Sequence, residues 1–239
     1  MNPNASPKEI DNKPQRVHFL PRAPARVLVF SPLAWLKLLF FLYAGDTEVG
    51  GFGISSAEDP LYVEDFHTVE QKTTAASVEF DDVAVADYFD ACVDGGLQPQ
   101  RFARLWVHTH PGESATPSLI DEETFDRVFG RNDWAVMFIL SRTRQTYCRL
   151  SFSAGPGGQL PLEVGVDWKG WPQAALEQAI DFSRRVQGWV SEYGQNVHPE
   201  TPGPLAQMFL EEPLGWWDER ELEEWAERSG FREEGKVSP

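Results

Sequence analysis

The sequence predicts an α/β protein of the α+β type, in which a mixed central β-sheet is flanked by helices. Two observations support this prediction. Short segments rich in β-branched and aromatic residues alternate with longer segments whose apolar residues recur at helical spacing. The chain also has 239 residues, 41% of them hydrophobic, which is enough for one domain with its own core and polar extensions.

The domain itself is predicted to span residues 23–195. Residues 1–22 are polar and contain prolines, so we expect a flexible N-terminal arm. Residues 196–239 are expected to form a proline-rich linker and an acidic, tryptophan-rich tail. The large apolar residues of this tail, which could dock on the domain or on a partner, are Trp216, Trp217, Leu222 and Trp225.

Residues 25–45 form the most apolar segment of the chain and could be mistaken for a membrane anchor. A spanning helix needs about 20 largely uninterrupted apolar residues, and Pro32 and Lys37 interrupt this one. We therefore predict a strand at 26–30 and a helix that begins at Ser31 with Pro32 in its first turn. This helix is apolar almost all round, so it should be buried against the sheet.

The next elements follow from alternation, β-branched content and helix-capping residues. Further strands are predicted at residues 48–55, 61–71, 76–80, 102–110, 134–141 and 146–153, with 160–168 as one more candidate. Further helices are predicted from Asp81 to Gly95-Gly96, at 118–129 and at 172–194. The stretch "NVHPETPGP" that follows the last helix is predicted to be a break.

Charge and cysteine content limit the partners and the compartment. The net charge is −16 and no Lys/Arg cluster is present, which argues against binding to nucleic acid or to an anionic membrane and favours a neutral or basic protein partner. Cys92 and Cys148 show no paired spacing, which indicates a reducing compartment, the cytoplasm. Both are expected to be core residues.

The stretch "HTHPGESATPSLID", residues 108–121, allows two interpretations. His108 and His110 lie on one face of the predicted strand, so both could bind one ion, with Asp121 as a third ligand and a fourth position left open. Alternatively, the strand runs through a turn into a helix that Ser118 and Asp121 cap. These residues taken alone leave both interpretations open.

The complete string resembles the signature of the JAMM, or MPN-plus, zinc metalloprotease family: His-x-His-Pro, then a serine and an aspartate at these intervals. That family also requires an upstream glutamate, and Glu48 stands in the corresponding place. The resemblance covers roughly residues 27–155 and implies the cytidine-deaminase-like MPN/JAB fold of a compact, prokaryotic-type member.

The resemblance also implies a role for each residue. His108, His110 and Asp121 would bind one catalytic Zn²⁺ ion, Glu48 would act as general acid and base, and Ser118 would stabilise the oxyanion. For Glu48 the alternative is an exposed strand residue beside a turn. We also hypothesise that the glycines of "VGGFG" leave room for an extended substrate tail beside the Glu48 strand, although a bulge or turn explains them equally well.

Members of this family cleave the bond that follows the C-terminus of a ubiquitin-like protein, in deconjugation or precursor processing. The expected partners are therefore such a substrate and the activating and conjugating enzymes of its pathway. The alternative substrate is a sulfur-carrier β-grasp protein, and a third alternative is a non-catalytic scaffold. The remaining histidines, His18, His67 and His198, are scattered, so the second zinc site of linkage-selective relatives is not expected.

Overall fold

The computed structural model describes residues 26–169 and 176–199, which form a mixed α/β protein. Within these residues, no helix has the length and apolar character needed to cross a membrane. The predicted arm (1–22, with His18), the start of the 172–194 helix and the tail beyond residue 199 with its tryptophans lie outside the described residues.

The described residues contain eleven strands and five helices. The strands are β1 (Val27–Phe30), β2 (Val49–Ser55), β3 (Tyr62–His67), β4 (Gln71–Thr74), β5 (Ser77–Phe80), β6 (Leu105–His110), β7 (Trp134–Ser141), β8 (Thr146–Phe152), β9 (Gly158–Pro161), β10 (Glu163–Val166) and β11 (Val197–Pro199). The helices are α1 (Pro32–Ala44), α2 (Asp82–Asp94), α3 (Pro99–Phe102), α4 (Leu119–Phe129) and α5 (Leu176–Asn196).

Eight strands form one mixed sheet in the order β10-β1-β3-β2-β6-β7-β8-β9, and β11, β4 and β5 form a second, smaller sheet. In the large sheet, β6 pairs with β7 in parallel and with β2 in antiparallel orientation. The edge strands β9 and β10 are separated by Leu162 alone, whose N–H donates to the carbonyl of Cys148 at 3.0 Å. One segment therefore joins the two edges, so the sheet must curl.

Helix α1 is buried almost all round, as its composition predicts. The Ser31 hydroxyl caps it by accepting from the N–H of Ala34, and the helix packs between one face of the curled sheet and α5. Lys37 is buried too: its Nζ atom lies 2.7 Å from Glu192 of α5 and 3.5 Å from Asp65 of β3. The charge that interrupts the apolar segment in the sequence thus ties three elements together.

The opposite face of the sheet has its own apolar core, which supports the candidate site. Helices α2 and α4 and the small sheet cover this face, and its largest side chains are aromatic rings from four elements, namely Phe52, Phe80, Trp106, Phe125 and Phe129. Strands β2 and β6 both reach the same end of this core, where β2 begins and β6 ends.

Four predicted segments differ from the structure, because strand boundaries depend on distant partners. Segment 61–71 leaves the large sheet after His67 and enters the small sheet at Gln71. The predicted strand 102–110 begins at Leu105. The predicted strand 160–168 is divided between the end of β9 and β10, which pair with different strands. The start of the predicted break, Val197–Pro199, pairs with β4.

Candidate metal centre

The candidate site lies at the end of β2 and β6, on the face that carries the aromatic core. The antiparallel register pairs Val49 with Thr109 and Gly50 with His108, so Glu48 lies beside His110 just beyond the paired residues. Alternate residues of a strand share a face. His108, His110 and Glu48 therefore point to the same side of the sheet, as the His-x-His spacing predicts.

Asp121 joins them through the first turn of α4. The Ser118 hydroxyl accepts from the N–H of Asp121 at 3.1 Å, and the Asp121 carboxylate accepts from the N–H of Ser118 at 2.6 Å. This is a capping box. The two interpretations of the sequence are therefore compatible, because the hydrogen bonds that cap α4 also hold Asp121 facing the histidines.

The four side chains converge closely. The Nε2 atoms of His108 and His110 each lie 3.4 Å from an oxygen of Asp121, and His110 Nε2 lies 3.5 Å from Glu48 Oε1. One ligand atom from each of the four residues lies within 4.8 Å of the others, and all four residues are buried. This group could hold one metal ion.

The distances fit ligands around an ion better than hydrogen bonds. Hydrogen bonds between nitrogen and oxygen span about 2.7–3.2 Å, whereas two ligands of one tetrahedral zinc ion lie about 3.3–3.5 Å apart. Glu48 Oε2 and the Nε2 atoms of both histidines are buried without a hydrogen-bond partner among the described residues. Buried polar atoms are rarely left unpaired, so these atoms point to a bound ligand, and a metal ion fits the donor set.

A hydrogen bond orients the His110 ring, and a stacking contact restrains the plane of the His108 ring. His110 Nδ1 lies 3.0 Å from the carbonyl oxygen of Ser114. A carbonyl can only accept, so Nδ1 carries a proton, and in the neutral ring Nε2 is the atom with the lone pair that can bind a metal. The His108 ring stacks on Trp106 with centroids 4.2 Å apart and planes 20° apart.

The pKa directions favour a neutral imidazole at His108, a protonated ring at His110 and an ionised carboxylate at Asp121. Burial lowers the pKa of His108. Burial also disfavours charge on His110, but Asp121 and Glu48 outweigh it and raise the pKa of that imidazole. For Asp121, burial is outweighed by the two histidines and the Ser118 N–H, which hold the pKa of the carboxyl well below its usual range.

Glu48 differs from Asp121. Burial is the largest influence on it and raises its pKa to about 7, with the charge on Asp121 acting in the same direction and His110 opposing. Glu48 is only 2% exposed, so the alternative of an exposed strand residue is wrong. A carboxyl that titrates near neutral pH can both accept and donate a proton there.

The hypothesis that a substrate strand lies beside β2 is wrong. On one edge, β2 pairs with β6. On the other edge, the buried amide of Gln71 accepts from the N–H of Gly50 and donates to its carbonyl, both at 2.8 Å, and Glu48 donates its N–H to the carbonyl of Thr74. A Cβ atom on Gly51 would overlap the carbonyl of His67, so this glycine serves internal packing.

The sequence did not single out Gln71, because a glutamine at the end of a predicted strand carries no signal of a long-range contact.

His67 and His198 are about half exposed and pair with Asp65 and Glu70, away from the cluster. Cys92 and Cys148 are buried free thiols, as predicted.

Comparisons with known protein families and with curated proteins give no match to this chain.

We expect replacement of His108, His110 or Asp121 by alanine to lower zinc affinity more than about 100-fold, since losing a ligand costs at least as much as losing a residue that orients one. Zinc per chain after dialysis against a weak chelator measures this. His67→Ala is the matched control and should bind as the parent does. Unchanged zinc content in the three ligand variants would show that the cluster is not a metal site.

We also expect Glu48→Gln to stabilise the metal-free protein in a pH-dependent way. Because the folded-state pKa of about 7 exceeds the ordinary value of 4.5, the cost of burying the charged carboxylate is complete above pH 7 and absent below pH 4.5. The variant should gain about 3 kcal/mol in free energy of unfolding at pH 8 and nothing at pH 4.5. Chemical denaturation at both pH values tests this, and an equal difference at the two would contradict it.

Proposed function

We propose that this protein is a zinc-dependent peptidase or isopeptidase of the JAMM type, with the MPN/JAB fold, that cleaves the bond after the C-terminus of a ubiquitin-like protein. The convergence of His108, His110 and Asp121, with Glu48 beside them, carries this proposal. The signature string supports it because it assigns the same residues.

The donor set fits zinc. Two imidazole nitrogens and one carboxylate are typical ligands of catalytic zinc sites, which keep one position open. Bound Zn²⁺ supplies Lewis acidity, which polarises the substrate carbonyl and lowers the pKa of water. We assign Glu48 to proton transfer, because its buried carboxylate lies beside the cluster, with Oε1 3.5 Å from His110 Nε2 and Oε2 without a hydrogen-bond partner among the described residues. A carboxylate placed in this way can accept a proton and then donate it.

In this reaction Glu48 accepts one proton and later returns it. The Glu48 carboxylate accepts a proton from the water whose oxygen bonds to the carbonyl carbon. As the carbon–nitrogen bond breaks, Glu48 returns that proton to the leaving amine. The Ser118 hydroxyl accepts from the N–H of Asp121 through its oxygen, so its own proton can be donated to the negative charge that develops on the carbonyl oxygen.

The substrate follows from the resemblance, and a sulfur-carrier β-grasp protein remains the alternative. Both substrates are folded proteins with a flexible C-terminal tail, and the same residues would cleave either. The three proposed zinc ligands and Glu48 are all present and lie close together. This favours an enzyme over a non-catalytic scaffold.

We expect Glu48→Gln to lower the rate of cleavage by about 100- to 10,000-fold, since it removes the general base. The zinc-loaded full chain is tested on two fusions, a ubiquitin-like protein and a sulfur-carrier protein, each followed by a reporter peptide. Zinc content should equal that of the parent. Equal rates for variant and parent would remove Glu48 from the mechanism, and the preferred fusion would distinguish the two substrate classes.

Ser118→Ala should lower kcat about 100- to 1000-fold through loss of an oxyanion donor. It should also cost about 1 kcal/mol of stability through loss of the cap. Ser118→Thr retains a hydroxyl for both roles and is the matched control. If alanine costs the stability but leaves kcat unchanged, Ser118 is a capping residue only.

A further inference from the structure

The segment that leads into Glu48 and the strand end that carries His110 meet at Arg142, the first residue after β7. The Arg142 side chain donates through Nη2 to the carbonyl of Gly45 and to the carboxylate of Asp46, the latter at 2.7 Å. Its backbone N–H donates to the carbonyls of His110 at 3.2 Å and Gly112 at 3.1 Å. One residue therefore contacts both parts of the site.

Glu48 needs such a link because it lies just outside the β2–β6 pairing. On its C-terminal side, the N–H of Val49 donates to the Thr109 hydroxyl at 3.1 Å, which ties that side to β6. On its N-terminal side, the Thr47 hydroxyl is hydrogen-bonded to the Thr73 hydroxyl, and the Glu48 N–H donates to the carbonyl of Thr74. Thr73 and Thr74 both belong to β4, in the other sheet. Arg142 supplies the tie from Gly45 and Asp46 back to the end of β6.

The Arg142–Asp46 pair is expected to act through its geometry and not through the strength of the ion pair. Arg142 is 35% exposed and Asp46 is 51% exposed, so the pair is screened by solvent and contributes little as an ion pair. Its effect is geometric: it fixes where the chain enters the Glu48 position relative to the backbone of His110. Catalysis is sensitive to such placement, because a displacement of about 1 Å can lower a rate about 100-fold.

We propose that Arg142 is a positioning residue that holds the Glu48 carboxylate in register with His110. The role in cleavage rests on the proposed function, whereas the role in placing Glu48 does not. The metal ligands have other supports, namely the capping box at Asp121, the Ser114 carbonyl at His110 and the Trp106 ring at His108. A change of the Arg142 side chain also leaves its backbone bonds to His110 and Gly112 in place.

Arg142→Met keeps an unbranched apolar stem at this position and removes the donors. We expect kcat to fall about 10- to 100-fold, with KM and zinc per chain unchanged. Arg142→Lys, which can still donate to Gly45 and Asp46, should recover most of the rate, and Asp46→Ala should give an intermediate loss. Arg185→Met is the matched control, because Arg185 pairs with Asp181 within α5, and it should behave as the parent.

A second measurement is independent of activity. Crystal structures of the parent and of Arg142→Met compare the distance between Glu48 Oε1 and His110 Nε2, which is 3.5 Å in the parent. We expect this distance to increase by about 1 Å in the variant, while the contacts of Asp121 with both histidines stay unchanged. An unchanged distance between Glu48 and His110 would overturn the proposal, even if cleavage is observed. If no fusion is cleaved by any form of the protein, the peptidase proposal fails while these structures still decide the role of Arg142.

Discussion

Burial of four ligand-forming side chains at one end of β2 and β6 is the constraint on which the rest of the site depends. Each buried polar atom without a partner costs about 1–3 kcal/mol, and Glu48, His108 and His110 all contribute such atoms. A metal ion bound by these residues would offset this cost. The surroundings must therefore keep the four groups together against their tendency to separate and reach water.

Several ordinary structural devices provide that restraint. The capping box that starts α4 also directs Asp121 toward the histidines. The stacked Trp106 ring extends the aromatic core to His108, and the Gln71 amide replaces a strand beside Gly50. Each of these contacts stabilises the fold and also restricts the position of a residue in the site. This overlap explains why the two interpretations of residues 108–121 describe the same geometry.

The parts of the site that depend on local spacing are predictable from the sequence. The period of two in a strand places His108 and His110 on one face, and the spacing from Ser118 to Asp121 defines the cap; both are visible in the structure. Contacts between residues that are far apart in the chain are not predictable in this way. Gln71 and Arg142 act on residues far away in the chain. The division of β9 from β10 depends on which strand lies beside each. The local sequence does not show which strands these are.

Anomalous scattering from crystals of the zinc-loaded protein, measured across the zinc absorption edge, would locate a bound ion. We expect one peak about 2.0–2.2 Å from His108 Nε2, His110 Nε2 and a carboxylate oxygen of Asp121, with Glu48 beside the ion. A peak elsewhere, or no peak while the four side chains keep their positions, would show that these residues do not form a zinc site.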